Sequence, residues 1–295
     1  METLTTAFRA QIREVVSLSG QSTAVTEDTV YQQGSAAILP YLDQMVESLL
    51  LPGSGMRGME HLYELYTKAA AGKSCLLCLE HYSNLDLSLF SYLLRRDSER
   101  GKAAAGAVVA IAGIKLNEEN PVVAAFSSAY SRLVIYPSRS LMEFDAVKDR
   151  PEIIRSNAIN RAAMKALMEI KVSGKLILVF PSGTRYRPWD PASKRGVREI
   201  DSYIKAFDYL CPVAINGEVL HVHQGDMMDD PVSKDLVLLT AGPVRSCAAF
   251  RDQCRADAEA AGTADKKQAV ADALMGLLEA MHLQAEGERQ KLLKG

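Results

Sequence analysis

A histidine and an aspartate follow one of the most apolar runs of the chain, at a spacing that suits proton transfer. The run Cys75–Glu80 is typical of a buried strand, and His81 and Asp86 come directly after it. On one continuous helix a separation of five residues would place them about 140° apart around the axis, so they would not meet. They can meet if His81 lies in the loop and Asp86 in the first turn of the next helix. A carboxylate on one ring nitrogen then leaves the other nitrogen free to take a proton from a hydroxyl group.

Two other interpretations of this segment remain open. His81 can be an ordinary loop histidine, with Asp86 doing no more than capping the helix. The spacing of Cys75, Cys78 and His81 also permits a zinc site. Alternation along a strand puts the two cysteines on opposite faces, however, and no second pair of ligands follows. We therefore expect no metal site here.

The His-x4-Asp pattern occurs a second time, at His221 and Asp226. This pair follows a later apolar run and lies downstream of the arginines described next. The resemblance described below implies that its His-x4-Asp box precedes the arginines, so we interpret this second match as a surface loop.

Two arginines separated by one residue follow another predicted strand, Leu176–Phe180. They are Arg185 and Arg187, and a turn with Pro181 and Gly183 precedes them. In open α/β sheets ligands bind beyond the carboxyl ends of the strands. Two guanidinium groups at such an end can hold a phosphate through paired hydrogen bonds. The alternative is a basic loop that faces solvent.

Three further cations could join this anion site. Arg139 comes just after the predicted strand Leu133–Tyr136, and Lys194 and Arg195 come soon after the arginine pair. For Arg139 the alternative of a solvent-facing side chain is about as plausible, and for the other two it is stronger.

The elements that must position these residues alternate between short apolar runs and amphipathic segments. This alternation predicts an α/β fold with a mostly parallel central sheet, flanked by helices and preceded by a small N-terminal helical domain. We expect an N-terminal helical domain at 1–55, an α/β domain at 56–250 and C-terminal helices at 251–295 packed on it. The predicted strands are Cys75–Glu80, Ala107–Ile111, Leu133–Tyr136, Leu176–Phe180, Val213–Ile215 and Leu236–Thr240. The predicted helices are Thr5–Leu18, Gln32–Leu51, Asn84–Arg96, Arg155–Lys171, Arg198–Leu210 and a pair within Ala248–Leu293 that breaks near Gly262.

Composition narrows the class of protein. The 295 residues carry a formal charge of −2, which lacks the basic excess of a nucleic-acid binder. No apolar stretch approaches the roughly 18 residues of a membrane-spanning helix, and the first residues lack the apolar core of a signal peptide. The five cysteines are an odd number in mostly apolar surroundings, which favours buried thiols in a reducing compartment. These features predict a cytoplasmic protein.

The combined blocks resemble the glycerolipid acyltransferases, in which a His-x4-Asp box and a Pro-Ser-Gly-Thr-Arg block each follow a strand. Intermediate blocks, Ala112 to Lys115 and Tyr136 to Arg139, fit this pattern as well. The resemblance covers roughly residues 60–245. The segment Pro181 to Pro188 is most similar to the soluble, plastid-type glycerol-3-phosphate acyltransferases, whereas the membrane-bound enzymes usually have Glu in place of Ser182.

The resemblance implies specific roles. His81 and Asp86 would be the catalytic pair, Arg185 and Arg187 would bind the substrate phosphate, and Ser182, Gly183 and Thr184 would form the supporting loop. Arg139 falls where the soluble enzymes have a phosphate-binding lysine, and Ser140 falls where they have a histidine. These two departures affect the phosphate site, although arginine in place of lysine preserves the charge.

The implied reaction moves a fatty acyl group from a thioester to the 1-hydroxyl of glycerol 3-phosphate, the first step of phospholipid synthesis. The donor would be acyl carrier protein or acyl-CoA, and no cofactor is needed. The amphipathic product is compatible with peripheral contact at a membrane. The alternatives are acyl transfer to 1-acylglycerol 3-phosphate, a thioesterase that uses water, and a non-catalytic module that binds lipid or carrier protein.

Overall fold

The computed structural model describes residues 1–20, 24–118, 120–142, 144–145 and 147–294, apart from the side chain of Arg139. In this part of the chain nine strands form one sheet. They are β1 (Tyr31–Gln32), β2 (Gly55–Arg57), β3 (Cys75–Leu79), β4 (Val108–Gly113), β5 (Arg132–Ile135), β6 (Leu176–Val179), β7 (Tyr209–Asn216), β8 (Leu238–Ala241) and β9 (Arg245–Ser246).

Five central strands are parallel, in the spatial order β5-β4-β6-β3-β7. β1 pairs antiparallel with β5, and β8 pairs antiparallel with β7 and carries β2 on its other side. The short β9 pairs antiparallel with another part of β7. The mostly parallel α/β sheet predicted from the sequence is therefore confirmed.

Helices cover both faces of the sheet. They are α1 (Leu4–Ala7), α2 (Arg9–Leu18), α3 (Leu39–Leu49), α4 (Met59–Ala70), α5 (Asp86–Asp97), α6 (Glu99–Gly106), α7 (Lys115–Glu118), α8 (Pro121–Ser127), α9 (Ser138–Met142), α10 (Arg150–Ile170), α11 (Ile200–Ala206), α12 (Cys247–Ala260) and α13 (Lys266–Lys294). Among the residues described, no helix is long and apolar enough to cross a membrane.

β3 illustrates why this sheet is buried on both sides. Its five residues are all apolar and fully buried. Cys75, Leu77 and Leu79 pack into the core on the side of α2 to α5, while Leu76 and Cys78 pack into the core on the side of α10, α11 and α13. Because Cys75 and Cys78 face opposite layers, they cannot share one metal ion. All five cysteines are free thiols.

The N-terminal helices share the first of these two cores. Leu4, Phe8, Ile12 and Val15 pack in the same cluster as the odd-numbered residues of β3. Residues 1–55 also contribute β1 and the first residue of β2 to the sheet. The N-terminal helices are thus present as expected, and their apolar faces are buried against the α/β part of the chain.

The bounds of the predicted helices differ from those in the structure. The helix expected at Arg155–Lys171 runs over Arg150–Ile170, and the one expected at Asn84–Arg96 runs over Asp86–Asp97. The helix expected at Gln32–Leu51 begins only at Leu39, since Gln32 belongs to the edge strand β1. The helix expected at Arg198–Leu210 ends at Ala206, because the chain is already in β7 at Tyr209. Thr5–Leu18 is divided into α1 and α2 at Phe8. The break expected near Gly262 is present between α12 and α13.

Candidate active site

His81 and Asp86 meet at the carboxyl end of β3. His81 lies in the loop after the strand, and Asp86 is the first residue of α5. The His81 Nδ1 atom is 2.9 Å from Oδ2 of Asp86, and their side chains are 18% and 2% exposed. The structure thus has the bent connection without which residues at this spacing could not meet.

The surroundings of Asp86 determine which ring nitrogen of His81 carries the proton. Oδ2 accepts the backbone N–H groups of Tyr82 at 2.6 Å and Ser83 at 2.9 Å, and Oδ1 accepts the Ser83 hydroxyl at 2.8 Å. Donors to a carboxylate favour its charged form, which can only accept. His81 must then donate from Nδ1, so its Nε2 lone pair is available for a substrate proton.

The loop after β6 lies against His81. β3 and β6 are adjacent and parallel, so their carboxyl ends meet at one edge of the sheet. Phe180 stacks on the imidazole with the ring centroids 4.0 Å apart. The backbone N–H of Tyr186 donates to the carbonyl oxygen of His81 at 2.8 Å. Two segments about 100 residues apart in the sequence thus form one structural unit.

Ser182, Gly183 and Thr184 form the turn that starts this loop. The buried Ser182 hydroxyl donates to the Thr184 carbonyl oxygen at 2.6 Å, and the Gly183 N–H donates to the backbone carbonyl oxygen of Phe180 at 2.9 Å. Gly183 has φ +65°, a conformation that side chains disfavour, and a Cβ there would lie 3.0 Å from Val197. These three residues shape the loop.

Arg185 is held by an aspartate that the sequence did not indicate. Its Nη1 atom is 2.8 Å from Oδ2 of Asp230, whose side chain is only 1% exposed. Oδ1 of Asp230 lies 2.8 Å from Nδ1 of His223. Arg185 therefore joins the loop after β6, which we call the arginine loop, to the segment around Asp230. Any phosphate bound by Arg185 would share its guanidinium with the Asp230 carboxylate.

Arg187 differs from Arg185 in its charge environment. Its backbone N–H donates to the Ser193 hydroxyl at 2.8 Å. Within the part of the chain that the structure describes, its half-buried guanidinium forms no ion pair. Arg139 is the second residue of α9, and its side chain lies outside the described structure. Between the two arginines of this loop, Arg185 has a carboxylate partner, and Arg187 has none among the residues that the structure describes.

The side chains of Lys194 and Arg195 each form an ion pair with a carboxylate of α13. Lys194 forms an ion pair with Glu279 and lies over the ring of Tyr186, and Arg195 is 3.1 Å from Asp272. Their charges are thus largely offset by carboxylates of the C-terminal helix.

An apolar cavity opens beside His81. Small and apolar side chains from β4, α5 and α8 line it, together with the short helical turn at Met227–Asp229. They include Leu87, Ala110, Ala112, Val122, Phe126 and Met228. The cavity can hold an apolar chain whose reactive end lies at the imidazole.

A second buried carboxylate and histidine flank the site and were missed in the sequence. Glu80 is 3% exposed, and its Oε2 accepts the N–H of Ile215 at 2.8 Å and lies 3.1 Å from Nδ1 of His282. The Tyr82 hydroxyl donates to Oε1 at 3.2 Å. Burial disfavours the imidazolium, but the hydrogen bond and charge of Glu80 outweigh it and raise the pKa of His282. No local pattern could reveal this pair, since 202 residues separate its members.

The second His-x4-Asp match has other partners. His221 lies 2.7 Å from the Ser233 hydroxyl through Nε2 and 3.3 Å from Glu218 through Nδ1. Asp226 accepts the N–H of Met228 at 2.8 Å. These contacts are structural and local, in line with the interpretation of this segment as a loop.

Comparison with models of protein families and with curated proteins finds no match to the chain.

Proposed function

We propose that the protein is an acyltransferase that moves a fatty acyl group from a thioester to the 1-hydroxyl of glycerol 3-phosphate. One observation carries the proposal. The oriented His81–Asp86 pair lies between an apolar cavity and the loop after β6, which carries Arg187, a cation with no ion pair among the described residues. Acyl transfer to a phosphorylated alcohol needs these three features together: a base, a place for the chain and a counter-charge for the phosphate.

In the reaction, Nε2 of His81 takes the proton of the substrate hydroxyl as its oxygen attacks the thioester carbonyl. The new C–O bond forms and the C–S bond breaks, and the imidazolium returns the proton to the departing thiolate. Asp86 stabilises the imidazolium while it exists. A positioned base of this kind typically contributes about 10²–10⁴-fold to the rate.

The phosphate acts as a remote handle. Arg187 would bind it directly, with Arg139 as a second cation, while Arg185 would contact it only from its place on Asp230. Binding energy at the phosphate helps to hold the hydroxyl near His81, and such positioning can contribute more than the base itself.

The apolar cavity would receive the acyl chain. Each buried methylene of the donor contributes roughly 0.8 kcal/mol. Acyl carrier protein and coenzyme A are both candidate carriers of the thioester, and the lipid product would leave toward a membrane surface.

The test is turnover by the purified protein. Glycerol 3-phosphate and lysophosphatidate are each supplied with acyl carrier protein or coenzyme A thioesters, and His81→Ala is the matched control. We expect lysophosphatidate as product from glycerol 3-phosphate, and none with the variant. Transfer only to lysophosphatidate, free fatty acid without an acceptor, or no thioester consumption would each refute the proposal, and would indicate respectively the next acyltransferase, a thioesterase or a binding module.

A further inference from the structure

Arg132, the first residue of β5, is a buried cation with no counter-charge among the residues that the structure describes. The residue is 7% exposed. Its Nε donates to Oδ1 of Asn117 at 3.2 Å, and its Nη1 donates to the carbonyl oxygen of Ser127 at 2.8 Å. Both acceptors are neutral. Among the residues that the structure describes, no carboxylate pairs with Arg132 and no acceptor receives Nη2.

The charge persists despite this environment. Burial lowers the pKa of Arg132 to about 10, which still leaves the guanidinium protonated at neutral pH. A buried charge without a partner is costly, and folded proteins normally place an opposite charge beside it. Because the described part of the chain supplies no such charge, the site fits an anionic ligand.

A polar cavity gives access to this guanidinium. It has a volume of about 280 Å³ and lies between α2 and α8. The described residues that line it include no charged side chain besides Arg132, and they supply neutral donors such as Gln33 and Ser35. The space exceeds what one water molecule needs, so it can hold a small ion.

Arg132 also borders the apolar cavity beside His81. An anionic group at Arg132 could therefore be a free ion in the polar cavity, or the head of an amphiphile whose chain lies in the apolar one. Both sources present the same chemistry to the guanidinium.

We propose that Arg132 is the centre of a phosphate-binding site separate from the arginine loop that follows β6. The planar guanidinium presents its unused N–H groups to two phosphate oxygens, which is the geometry that arginine favours for this group. Neutral donors of the polar cavity complete the site. The proposal does not depend on acyl transfer, and its test reads binding alone.

The experiment is calorimetric titration of the full chain at constant ionic strength. Arg187→Ala serves as the background, because it weakens the other proposed phosphate site. Inorganic phosphate is one ligand, and dodecyl phosphate below its micelle concentration is the other. We expect a binding event that the added substitution Arg132→Met weakens by at least about tenfold.

Arg198→Met in the same background is the matched control, since Arg198 is 57% exposed and already paired with Asp265. Its phosphate affinity should be unchanged. Methionine is chosen because an apolar residue is usually tolerated in place of a buried ion. If the Arg132→Met variant does not fold, Arg132→Gln is tested in its place. Binding of inorganic phosphate would identify a free ion, and binding of dodecyl phosphate alone a lipid head. No binding in the background, or equal binding after Arg132 is replaced, would overturn the site.

Discussion

The imidazole of His81 lies against the ring of Phe180 with an angle of 20° between the planes. This contact joins the ends of two neighbouring strands, and the hydrogen bond from Tyr186 to His81 reinforces it. One face of the ring is thus covered by Phe180 and one nitrogen is held by Asp86. The remaining nitrogen is the part of the ring left for chemistry.

If the proposed function is right, replacing His81 by Ala should abolish acyl transfer and leave the fold intact, because the imidazole is the proposed base. Asp86→Asn should reduce turnover by about 10²-fold or more, since the amide N–H group can donate to Nδ1 and so favour the tautomer with its proton on Nε2. Steady-state kinetics and circular dichroism check both. His221→Ala is the control and should keep full activity. Residual turnover near that of the native chain in His81→Ala would exclude a base role.

The two arginines of the loop should respond differently to removal. Arg187→Ala should raise KM for glycerol 3-phosphate with little change in stability, because its guanidinium has no carboxylate partner among the described residues. Arg185→Ala should lower the free energy of unfolding by about 3 kcal/mol, since it leaves the buried Asp230 without its guanidinium. Kinetics and urea unfolding on the same samples separate the effects. Similar changes in KM and stability for both variants would contradict the distinction.

The Glu80–His282 pair should make stability depend on pH. The pKa of His282 is raised in the folded state. The pair therefore stabilises the fold fully at a pH below the ordinary pKa of histidine, and this stabilisation is lost as the pH rises through the pKa of the folded state. Lys194 opposes the imidazolium and Glu279 supports it. In urea unfolding, the free energy of unfolding should fall from about pH 6 to about pH 9, and it should fall less in His282→Gln.

His61→Gln is the control for this series, since its imidazole contacts Glu60 only at 3.7 Å on the surface of α4. This variant should keep the slope of the native chain. An identical slope in His282→Gln would mean that the pair contributes nothing to the pH dependence.

Gly183→Ala should destabilise the protein by about 1–2 kcal/mol, because the residue has positive φ and its new methyl group would press on Val197. Gly276→Ala is the matched control. It lies inside α13 with no atom within 4 Å of the added Cβ, and should stabilise the helix by about 0.5–1 kcal/mol. Thermal unfolding measures both, and a neutral Gly183→Ala would show that the turn tolerates another conformation.

Ala110→Leu should reduce the use of long acyl donors more than that of short ones. Ala110 lines the apolar cavity beside His81 from β4, and the larger side chain takes up space there. The ratio of kcat/KM for a long and an acetyl thioester gives the readout, with the short donor as internal control. An unchanged ratio would mean that the chain binds elsewhere.

The sequence predicted those features that local patterns determine. The continuous apolar runs predicted β3 and β6, and the five-residue spacing showed that Asp86 could meet His81 only if the chain bends between them. The sequence did not predict the pairing of Arg185 with Asp230, because the two residues are 45 positions apart and only tertiary packing brings them together. Gln32 has apolar neighbours at helical spacing, yet pairing with β5 places it in a strand.

The position of β6 between β4 and β3 has a consequence for how the molecule is made. A nascent polypeptide that has emerged only as far as Gly174 possesses β3 and β4 but lacks the strand that separates them. The position between β3 and β4 is then taken by β6, which comes from a distant part of the chain. Such long-range strand pairing is slow, because a long loop must be ordered before the strands can pair. Until then the imidazole lacks its contact with Phe180 and His81 lacks the hydrogen bond from Tyr186, so this part of the candidate site forms only after β6 has been made.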